Sequence, residues 1–150
     1  VLPHFRANGG GTLINVSSGC GIYAVPGIGL YSASKFALEG MTESLAQEVP
    51  GQNIIVMLVE PGAIKTNFVS HAARNVARKI DAYASVTGGG KEALGVFYDQ
   101  AGVPPETVAV ELMEVLDAGE PPLRVLMGAD NRTFARYKIE QLAAAAAERP

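Results

Sequence analysis

Three side chains in the first third of the chain could carry proton-transfer chemistry. Tyr31 and Lys35 are four residues apart, which places them one turn apart on the same side of a helix. A lysine ammonium beside a phenol favours the phenolate, and lowering a tyrosine pKa from about 10 to about 7 requires roughly 4 kcal/mol. Such a tyrosine could exchange a proton with a substrate at neutral pH. Ser18 ends a predicted strand and could donate a hydrogen bond to a carbonyl oxygen.

Each of these residues also has an ordinary structural interpretation. Tyr-x-x-x-Lys occurs by chance, a helical tyrosine is usually part of a core, and a serine at a strand end usually caps a turn. The chemistry is therefore a hypothesis that depends on the elements around it.

The predicted elements alternate between strands and helices. Thr12–Ser17, Ile54–Glu60 and Leu123–Gly128 are short apolar runs bounded by glycine or proline, as expected for buried strands. Helices are predicted over Tyr31–Val49, around Ser70–Ala84 and Lys91–Ala101, over Pro104–Ala118, and after Asp130. This order predicts an α/β protein with a doubly wound parallel sheet that is covered on both faces.

Helical spacing also indicates which sides of the helices should face the core. The predicted core residues are Ala37, Leu38, Met41, Leu45 and Val49 in the first helix, and Val108, Leu112, Val115 and Leu116 in the helix after Pro104.

The composition limits the classes of partner. Twelve basic and fifteen acidic side chains give a formal net charge of −3, which does not favour nucleic acid or an anionic membrane surface. Cys20 is the only cysteine, so no internal disulfide can form and we expect a cytoplasmic protein. No apolar run reaches the roughly 18 to 20 residues of a membrane span. A small, roughly neutral ligand is the expected partner.

Three further patterns resemble ligand-binding motifs but lack the necessary context. Gly19-Cys-Gly21-Ile-Tyr-Ala24 fits a dinucleotide fingerprint, yet several residues separate it from the next helix, whose N-terminus would have to hold the pyrophosphate. Gly88-Gly-Gly-Lys91 is followed by Glu92, where a phosphate loop needs Ser or Thr. His4 and His71 have no Cys or acidic residue at metal-ligand spacing, so we expect no metal site.

Together, three linked motifs resemble those of the short-chain dehydrogenase/reductase family. Asn15-Val-Ser-Ser18 is followed after thirteen positions by Tyr31-Ser-Ala-Ser-Lys35, and Pro61-Gly62-Ala-Ile64-Lys-Thr66 follows the next strand. The Phe36–Leu45 run is similar to the subset that includes hydroxysteroid and retinol dehydrogenases. The resemblance covers about Thr12–Thr66. It implies the C-terminal part of one NAD(P)-binding domain, with three adjacent strands of a partial Rossmann-like fold.

The resemblance also implies a role for each motif residue. Tyr31 would be the general acid for ketone or aldehyde reduction and the base for alcohol oxidation. Lys35 would lower its pKa and hydrogen-bond the nicotinamide ribose, while Ser18 would hold the substrate oxygen. Pro61 and Gly62 would let the end of the strand approach the nicotinamide ring of NAD or NADP, while main-chain groups near Ile64 and the Thr66 hydroxyl would hold its carboxamide. Tyr31 would also contact the cofactor. A small, hydrophobic alcohol or carbonyl substrate would contact Ser18, Cys20, Val25, Pro26 and Phe68, with Ile28, Val69 and Phe97 as further wall residues.

Other family motifs belong upstream of Val1, and the chain begins without Met. These motifs are the glycine-rich cofactor turn, the catalytic asparagine and the residue that selects NAD or NADP. We therefore expect a fragment that neither binds the cofactor tightly nor catalyses turnover alone, although its parent would do both. The parent would be a homo-dimer or tetramer that pairs the Tyr31–Val49 helix through Ala33, Phe36, Gly40, Ser44 and Gln47.

Other classes fit the residues less well. A serine hydrolase with Ser18 as nucleophile would need glycine two positions earlier, where Val16 stands, and a histidine base, for which only His71 is available. A sugar-nucleotide epimerase or dehydratase shares Tyr-x-x-x-Lys, but Pro61–Thr66 is similar to the simpler single-domain branch. The main alternative is a non-catalytic relative that acts as a binding or scaffold module, against which the intact Ser18, Tyr31 and Lys35 argue.

Overall fold

Three parallel strands form the centre of the structure, a computed structural model that describes residues 1–68, 80–87 and 90–147. The strands are β1 (Gly11–Val16), β2 (Ile54–Pro61) and β3 (Arg124–Met127), in the spatial order β1-β2-β3. β1 pairs with β2 along its whole length, whereas β3 pairs with β2 only from Leu58 to Pro61. The predicted α/β parallel sheet and its three strands are thus confirmed.

Helices connect and cover the strands. In chain order they are α1 (Leu2–Ala7), α2 (Gly29–Glu48), α3 (Ala84–Thr87), α4 (Gly90–Ala101), α5 (Pro105–Asp117) and α6 (Ala129–Ala147), with 3₁₀ turns at Gly19–Gly21 and Asp81–Tyr83. The helices predicted over Tyr31–Val49, Lys91–Ala101 and Pro104–Ala118 and after Asp130 are confirmed within two residues at their boundaries. Most of the predicted piece Ser70–Ala84, with Val69, His71 and Gly88, lies outside the described residues.

One face of the sheet carries the apolar core. Alternate strand residues point to opposite faces, and the buried Met57, Val59, Val125 and Met127 share one of them. Half-buried Ile14 of β1 and one side of α5 pack against this cluster. The α5 residues are those predicted from helical spacing, namely Val108, Leu112, Val115 and Leu116.

The opposite face packs against α2 and combines the buried Val56 and Leu58 of β2 with several polar side chains. Asn15 of β1 donates to the Thr42 hydroxyl at 2.9 Å, and that hydroxyl donates to the Leu38 carbonyl at 2.7 Å. Ser32 and Glu39 are buried with Thr42 on the sheet side of the helix. Asn15 of β1 supplies a hydrogen-bond partner for Thr42, and Arg124 of β3 supplies a partner for the Glu39 carboxylate.

The predicted core side of α2 was therefore partly wrong. Met41 is 66% exposed and Ala37 is also exposed, whereas Leu38 and Leu45 are half-buried and Val49 is buried. The buried side of the helix is rotated towards Glu39 and Thr42, so an apolar strip that includes Met41 is left on the surface. No helix within the described ranges combines the length and the apolar character needed to cross a membrane.

The core assignment predicts a large difference between neighbouring positions of β2. Met57→Ala should destabilise a full-length protein that contains this chain by about 2 to 5 kcal/mol, because it opens a cavity in the apolar face. Met57 is fully buried, whereas Ile55 on the same face is 38% exposed, so Ile55→Ala is the matched control and should cost less. Urea unfolding measures both, and equal losses would contradict the assigned core.

Candidate functional site

Ser18 lies directly after β1, where the chain turns over the carboxyl end of the sheet. Its hydroxyl oxygen accepts a hydrogen bond from the Cys20 N–H at 3.2 Å and so caps the 3₁₀ turn Gly19–Gly21. A serine hydroxyl has one donor hydrogen besides its acceptor lone pairs, so this bond leaves the hydrogen for another partner. Irregular chain separates the turn from α2, which agrees with the argument against a dinucleotide fingerprint at Gly19 and Gly21.

Tyr31 and Lys35 lie in the first two turns of α2, near the carboxyl end of β1. The Lys35 Nζ donates to the Val16 carbonyl oxygen at 2.9 Å and lies 5.7 Å from the centre of the Tyr31 ring. Burial raises the pKa of Tyr31, and a side-chain hydrogen bond with Ser18 opposes this by lowering it. The fold therefore brings together the three side chains that the sequence places thirteen and four positions apart.

Burial raises the pKa of Tyr31, whereas the sequence pattern predicts that Lys35 lowers it. The effect of Ser18 opposes that of burial. A raised pKa favours the protonated phenol, which is the form that a general acid requires. The lowering of this pKa by Lys35 stays a prediction.

The segment after β2 is fixed by main-chain hydrogen bonds. The Gly62 N–H donates to the Met127 carbonyl at 3.0 Å, and the Val103 N–H donates to the Ala63 carbonyl at 3.0 Å. The Lys65 N–H in turn donates to the Val103 carbonyl at 2.9 Å, so Val103 forms a parallel bridge with Ile64 by using its own two groups. Adjacent peptide groups of an extended chain point in opposite directions, so the N–H and C=O of Ile64 are directed away from Val103.

Thr66 and the Pro61-Gly62 pair occupy different surroundings. Thr66 is exposed, and its hydroxyl oxygen accepts a hydrogen bond from the Phe68 N–H at 3.3 Å, which leaves the hydroxyl hydrogen for another acceptor. Pro61 is buried and half-buried Gly62 packs against the carboxylate of Asp130.

The Asp130 side chain holds the segment after β2 in place, a role that the sequence motifs did not indicate. It lies in the first turn of α6, and its carboxylate accepts a hydrogen bond from the Ala63 N–H at 3.3 Å. A Cβ atom at Gly62 or at Gly128 would collide with the same carboxylate, and Gly128 also has a φ of +90°. Packing against Asp130 by itself accounts for glycine at position 62.

Aromatic rings extend from Tyr31 across one side of the site. The ring centres of Tyr31 and Phe68 are 5.4 Å apart, and those of Phe68 and Tyr98 are 6.4 Å apart. Burial, with smaller contributions from the charges of Tyr31, Cys20 and Asp130, raises the pKa of Tyr98 to about 12. Sequence analysis missed Tyr98 because it is a lone tyrosine in α4, outside the three motifs.

The remaining predicted wall residues lie around Ser18 or outside the described part of the chain. Burial raises the pKa of the half-buried Cys20 thiol, and a hydrogen bond with Ser18 lowers it. Val25 is half-buried and Pro26 is exposed in the loop that leads to α2. Val69 and the Phe97 side chain are not among the described groups.

The histidines do not join this site in the described structure. His4 is exposed and its ring contacts the Asn8 side chain at 3.3 Å, while His71 lies outside the described residues. Within the described ranges, no group of three or more His, Cys, Asp and Glu side chains could hold a metal ion.

A buried ionic cluster lies under the site, where α2, β2 and β3 meet. The Arg124 guanidinium forms ion pairs with Glu39 and Glu60 and with the more exposed Glu43, the last at 2.6 Å. The Glu60 side chain is fully buried and that of Glu39 is 6% exposed. Burial, followed by the charge of Glu39 and a hydrogen bond with it, raises the pKa of Glu60 to about 7 against the opposing effect of Arg124.

The raised pKa of Glu60 predicts a pH-dependent stability. Between the ordinary glutamate pKa and about 7, the folded protein binds more protons than the unfolded protein. The contribution of Glu60 to the free energy of unfolding is therefore full at low pH and decreases as the pH rises through 7. Each pKa unit between the folded and unfolded states corresponds to about 1.4 kcal/mol of this free energy. Urea unfolding from pH 5 to 8 should therefore show wild type losing stability relative to Glu60→Gln.

The matched control for this experiment is Glu43→Gln, which removes the exposed partner of the same guanidinium. A constant difference between wild type and Glu60→Gln over that range would contradict the assignment of the titrating group.

Comparison with known proteins identifies the sequence family. Residues 1–77 match the family described as short chain dehydrogenase. Oxidoreductase BOA17 from Botryotinia fuckeliana is 33% identical over 144 residues, which are 96% of this chain and 52% of that protein. Retinol dehydrogenase 8 from Bos taurus is 33% identical over 148 residues, with coverage of 91% of this chain and 44% of that protein. The chain thus spans about half the length of the curated relatives it matches.

Solved structures agree in fold over nearly the whole chain. A short-chain dehydrogenase from Streptomyces avermitilis aligns with a TM-score of 0.80 and 30% identity, covering 97% of this chain and 52% of that chain. A short chain dehydrogenase from Burkholderia cenocepacia in complex with NADP aligns with a TM-score of 0.62 and 26% identity, covering 96% and 50%. The predicted family and Rossmann-like α/β fold are confirmed: the chain belongs to the short-chain dehydrogenase family.

Proposed function

We propose that the protein containing this chain is an NAD(P)-dependent oxidoreductase that interconverts an alcohol and a ketone or aldehyde by hydride transfer. The observation that carries the proposal is the convergence of Ser18, Tyr31 and Lys35 at the carboxyl end of β1. The Ser18 side chain lies near enough to Tyr31 to lower its pKa, and the Lys35 ammonium lies 5.7 Å from the centre of the Tyr31 ring. Ligands of parallel α/β sheets bind beyond this end of the strands.

Tyr31 is the proposed proton-transfer residue. During reduction its hydroxyl would donate a proton to the substrate oxygen, and during oxidation the phenolate would take that proton back. Burial raises the pKa of Tyr31, and a raised pKa favours the protonated form that donates in the reductive direction. Ser18 would hold the same substrate oxygen with its hydroxyl hydrogen, because its oxygen already accepts from Cys20.

The residues after β2 fit the nicotinamide end of the cofactor. A carboxamide needs one acceptor and one donor, and Ile64 directs both its N–H and its C=O away from Val103. Thr66 would add its hydroxyl hydrogen, and Lys35 would use a second ammonium hydrogen on the ribose. Bound NAD(P) would supply or accept the hydride. The NADP complex of the Burkholderia cenocepacia relative supports a nicotinamide cofactor without selecting between its two forms.

The substrate side of Tyr31 favours a hydrophobic compound. Phe68 and Tyr98 continue the aromatic surface that begins at Tyr31, and Cys20 lies beside Ser18. A small alcohol or carbonyl compound with an apolar body could place its oxygen between Ser18 and Tyr31 while its body covers these rings. The similarity to a retinol dehydrogenase supports the same class of substrate.

Tyr31→Phe tests the proposed chemistry in the full-length protein. Turnover with NADH or NADPH should fall about 10²- to 10⁴-fold, because the ring remains and only the proton-transfer group is lost. Cofactor affinity, measured by fluorescence titration, should stay close to that of wild type. Tyr83→Phe, at a tyrosine that is 60% exposed, is the matched control. Near-normal turnover of Tyr31→Phe would refute the mechanism.

Lys35→Ala should produce a different pattern of loss. Cofactor affinity should weaken, and the pH–rate profile should move to higher pH, because removing the nearby ammonium makes the phenolate less favourable. Lys35→Arg keeps the positive charge and should move the profile less. If the profile of Lys35→Ala did not move, Lys35 would act only by holding the Val16 carbonyl at the end of β1.

We also propose that the exposed side of α2 pairs subunits. Ala33, Phe36, Gly40, Ser44 and Gln47 are exposed, and the neighbouring Met41 is 66% exposed. An added Cβ at Gly40 would meet no atom within 4 Å among the described residues, so this part of the chain leaves room for a larger side chain there.

Gly40→Leu should therefore lower the mass of the full-length protein measured by light scattering, because leucine would separate two helices that approach closely. Gly40→Ala is the control, with a gain of about 1 kcal/mol in helix propensity and little added volume. An unchanged mass for Gly40→Leu would exclude this face as the contact.

A further inference from the structure

The last helix of the described chain, α6, packs against the loop between β1 and α2. This loop begins at Ser18, forms the 3₁₀ turn Gly19–Gly21 and continues through Tyr23. Two separate contacts join this loop to α6, one at Gly19 and one at Tyr23. Neither contact involves the three sequence motifs or the residues that would hold the nicotinamide.

The first contact is made by Asn131, which is only 3% exposed. Its side-chain amide donates to the main-chain carbonyl of Glu60 at 2.7 Å, which ties α6 to the end of β2. The other side of the same amide packs against Gly19, where an added Cβ would collide with Asn131 Oδ1. Asn131 therefore fills the space between the end of β2 and the residue that follows Ser18.

The second contact is aromatic. The Tyr23 ring stacks on Phe134 with a centre-to-centre distance of 5.4 Å and an interplanar angle of 6°. The same ring meets the edge of Tyr137 at 5.5 Å and 75°. Asn131, Phe134 and Tyr137 recur at helical spacing, so one side of α6 faces the part of the loop from Gly19 to Tyr23.

The other side of the 3₁₀ turn is also closely packed. A Cβ at Gly21 would lie 2.6 Å from Ser17 Oγ and 2.7 Å from Glu39 Oε1, so the turn is packed against β1 and α2. The Ser18 hydroxyl is thus attached to a short turn that is enclosed between α2 and α6. A small displacement of α6 would change the position of that hydroxyl relative to Tyr31.

We propose that α6 is a positioning element of the active site, in which Asn131 fixes Gly19 beside Ser18, and Phe134 and Tyr137 fix Tyr23, two residues after the turn. Asn131 would not touch the substrate. It would act through Ser18 by holding the Ser18–Tyr31 geometry, and this part of the inference rests on the proposed function. Misplacement of a reacting group by about 1 Å can cost on the order of 10²-fold in rate.

Amide hydrogen exchange of the full-length protein tests the contact independently of any activity. The Gly21 N–H donates to the Ser18 carbonyl at 2.8 Å, and the Tyr23 N–H donates to the Gly19 carbonyl at 3.0 Å. Asn131→Ala should accelerate exchange in the peptide that contains these amides. Tyr137→Ala, at a residue that is 47% exposed, should accelerate it without disturbing a buried core. Arg136→Ala, at an exposed position of the same helix, is the matched control and should leave exchange unchanged.

Kinetics then distinguish positioning from a general effect on stability. Asn131→Ala should lower kcat about 10- to 100-fold at a temperature where the variant is fully folded. Its cofactor affinity should stay near that of wild type, because the proposed cofactor contacts lie at Lys35, Ile64 and Thr66. Gly19→Ala should be harmful alone but nearly harmless when added to Asn131→Ala, because the colliding atom is then absent. Such non-additivity is expected for two residues in direct contact, whereas distant and independent sites give additive effects.

The outcomes separate this inference from the proposed function. Wild type without NAD(P)-dependent turnover would refute the function, whereas faster exchange in Asn131→Ala would still support the contact. Active wild type with unchanged exchange in Asn131→Ala, unchanged kcat, or additive effects of Gly19→Ala and Asn131→Ala would overturn the positioning role. A lower unfolding temperature alone, with normal kcat, would also overturn it, since it would reduce Asn131 to a stabilising residue.

Discussion

The pairing of Arg124 with Glu39 and Glu60 is the interaction on which the orientation of α2 against the sheet depends. Burying an unpaired carboxylate is costly, and removing one partner of a buried ion pair typically costs about 3 to 5 kcal/mol. Glu39 belongs to α2, Glu60 to β2 and Arg124 to β3, so one guanidinium joins three elements that are far apart in the chain. The same ion pairs explain why α2 presents the Glu39 carboxylate to the sheet and the apolar Met41 to the surface.

The geometry of the site follows from this arrangement. With α2 fixed in rotation by Glu39 and by the Asn15–Thr42 hydrogen bond, Lys35 reaches the Val16 carbonyl and Tyr31 comes within reach of Ser18. A rotation of α2 that buried Met41 instead would carry both side chains away from the end of β1. The polar interior therefore orients the helix, whereas the apolar packing on the α5 face supplies a stable sheet on which it rests.

Much of the fold could be predicted from the sequence, because strands and helices here differ clearly in apolar periodicity and are separated by glycine and proline. The three motifs could be recognised because Ser18, Tyr31 and Lys35 are close in sequence and their spacing is diagnostic of the family. The orientation of α2 could not be predicted in the same way, since hydrophobicity gives no weight to a buried Glu39 whose partner, Arg124, is 85 positions away. For the same reason no local sequence pattern indicated the contacts of Asn131 and Asp130, because the residues that they contact are far away in the sequence.

The packing around Asp130 bears on how relatives of this chain can diverge. Gly62 and Gly128 come from different parts of the sequence, yet both leave the space that one carboxylate occupies, and Ala63 donates to it from the main chain. A side chain at either glycine would displace the Asp130 carboxylate and so weaken its hydrogen bond with the Ala63 N–H. The three positions are therefore coupled, and we expect substitutions at either glycine to be accompanied by a change at position 130.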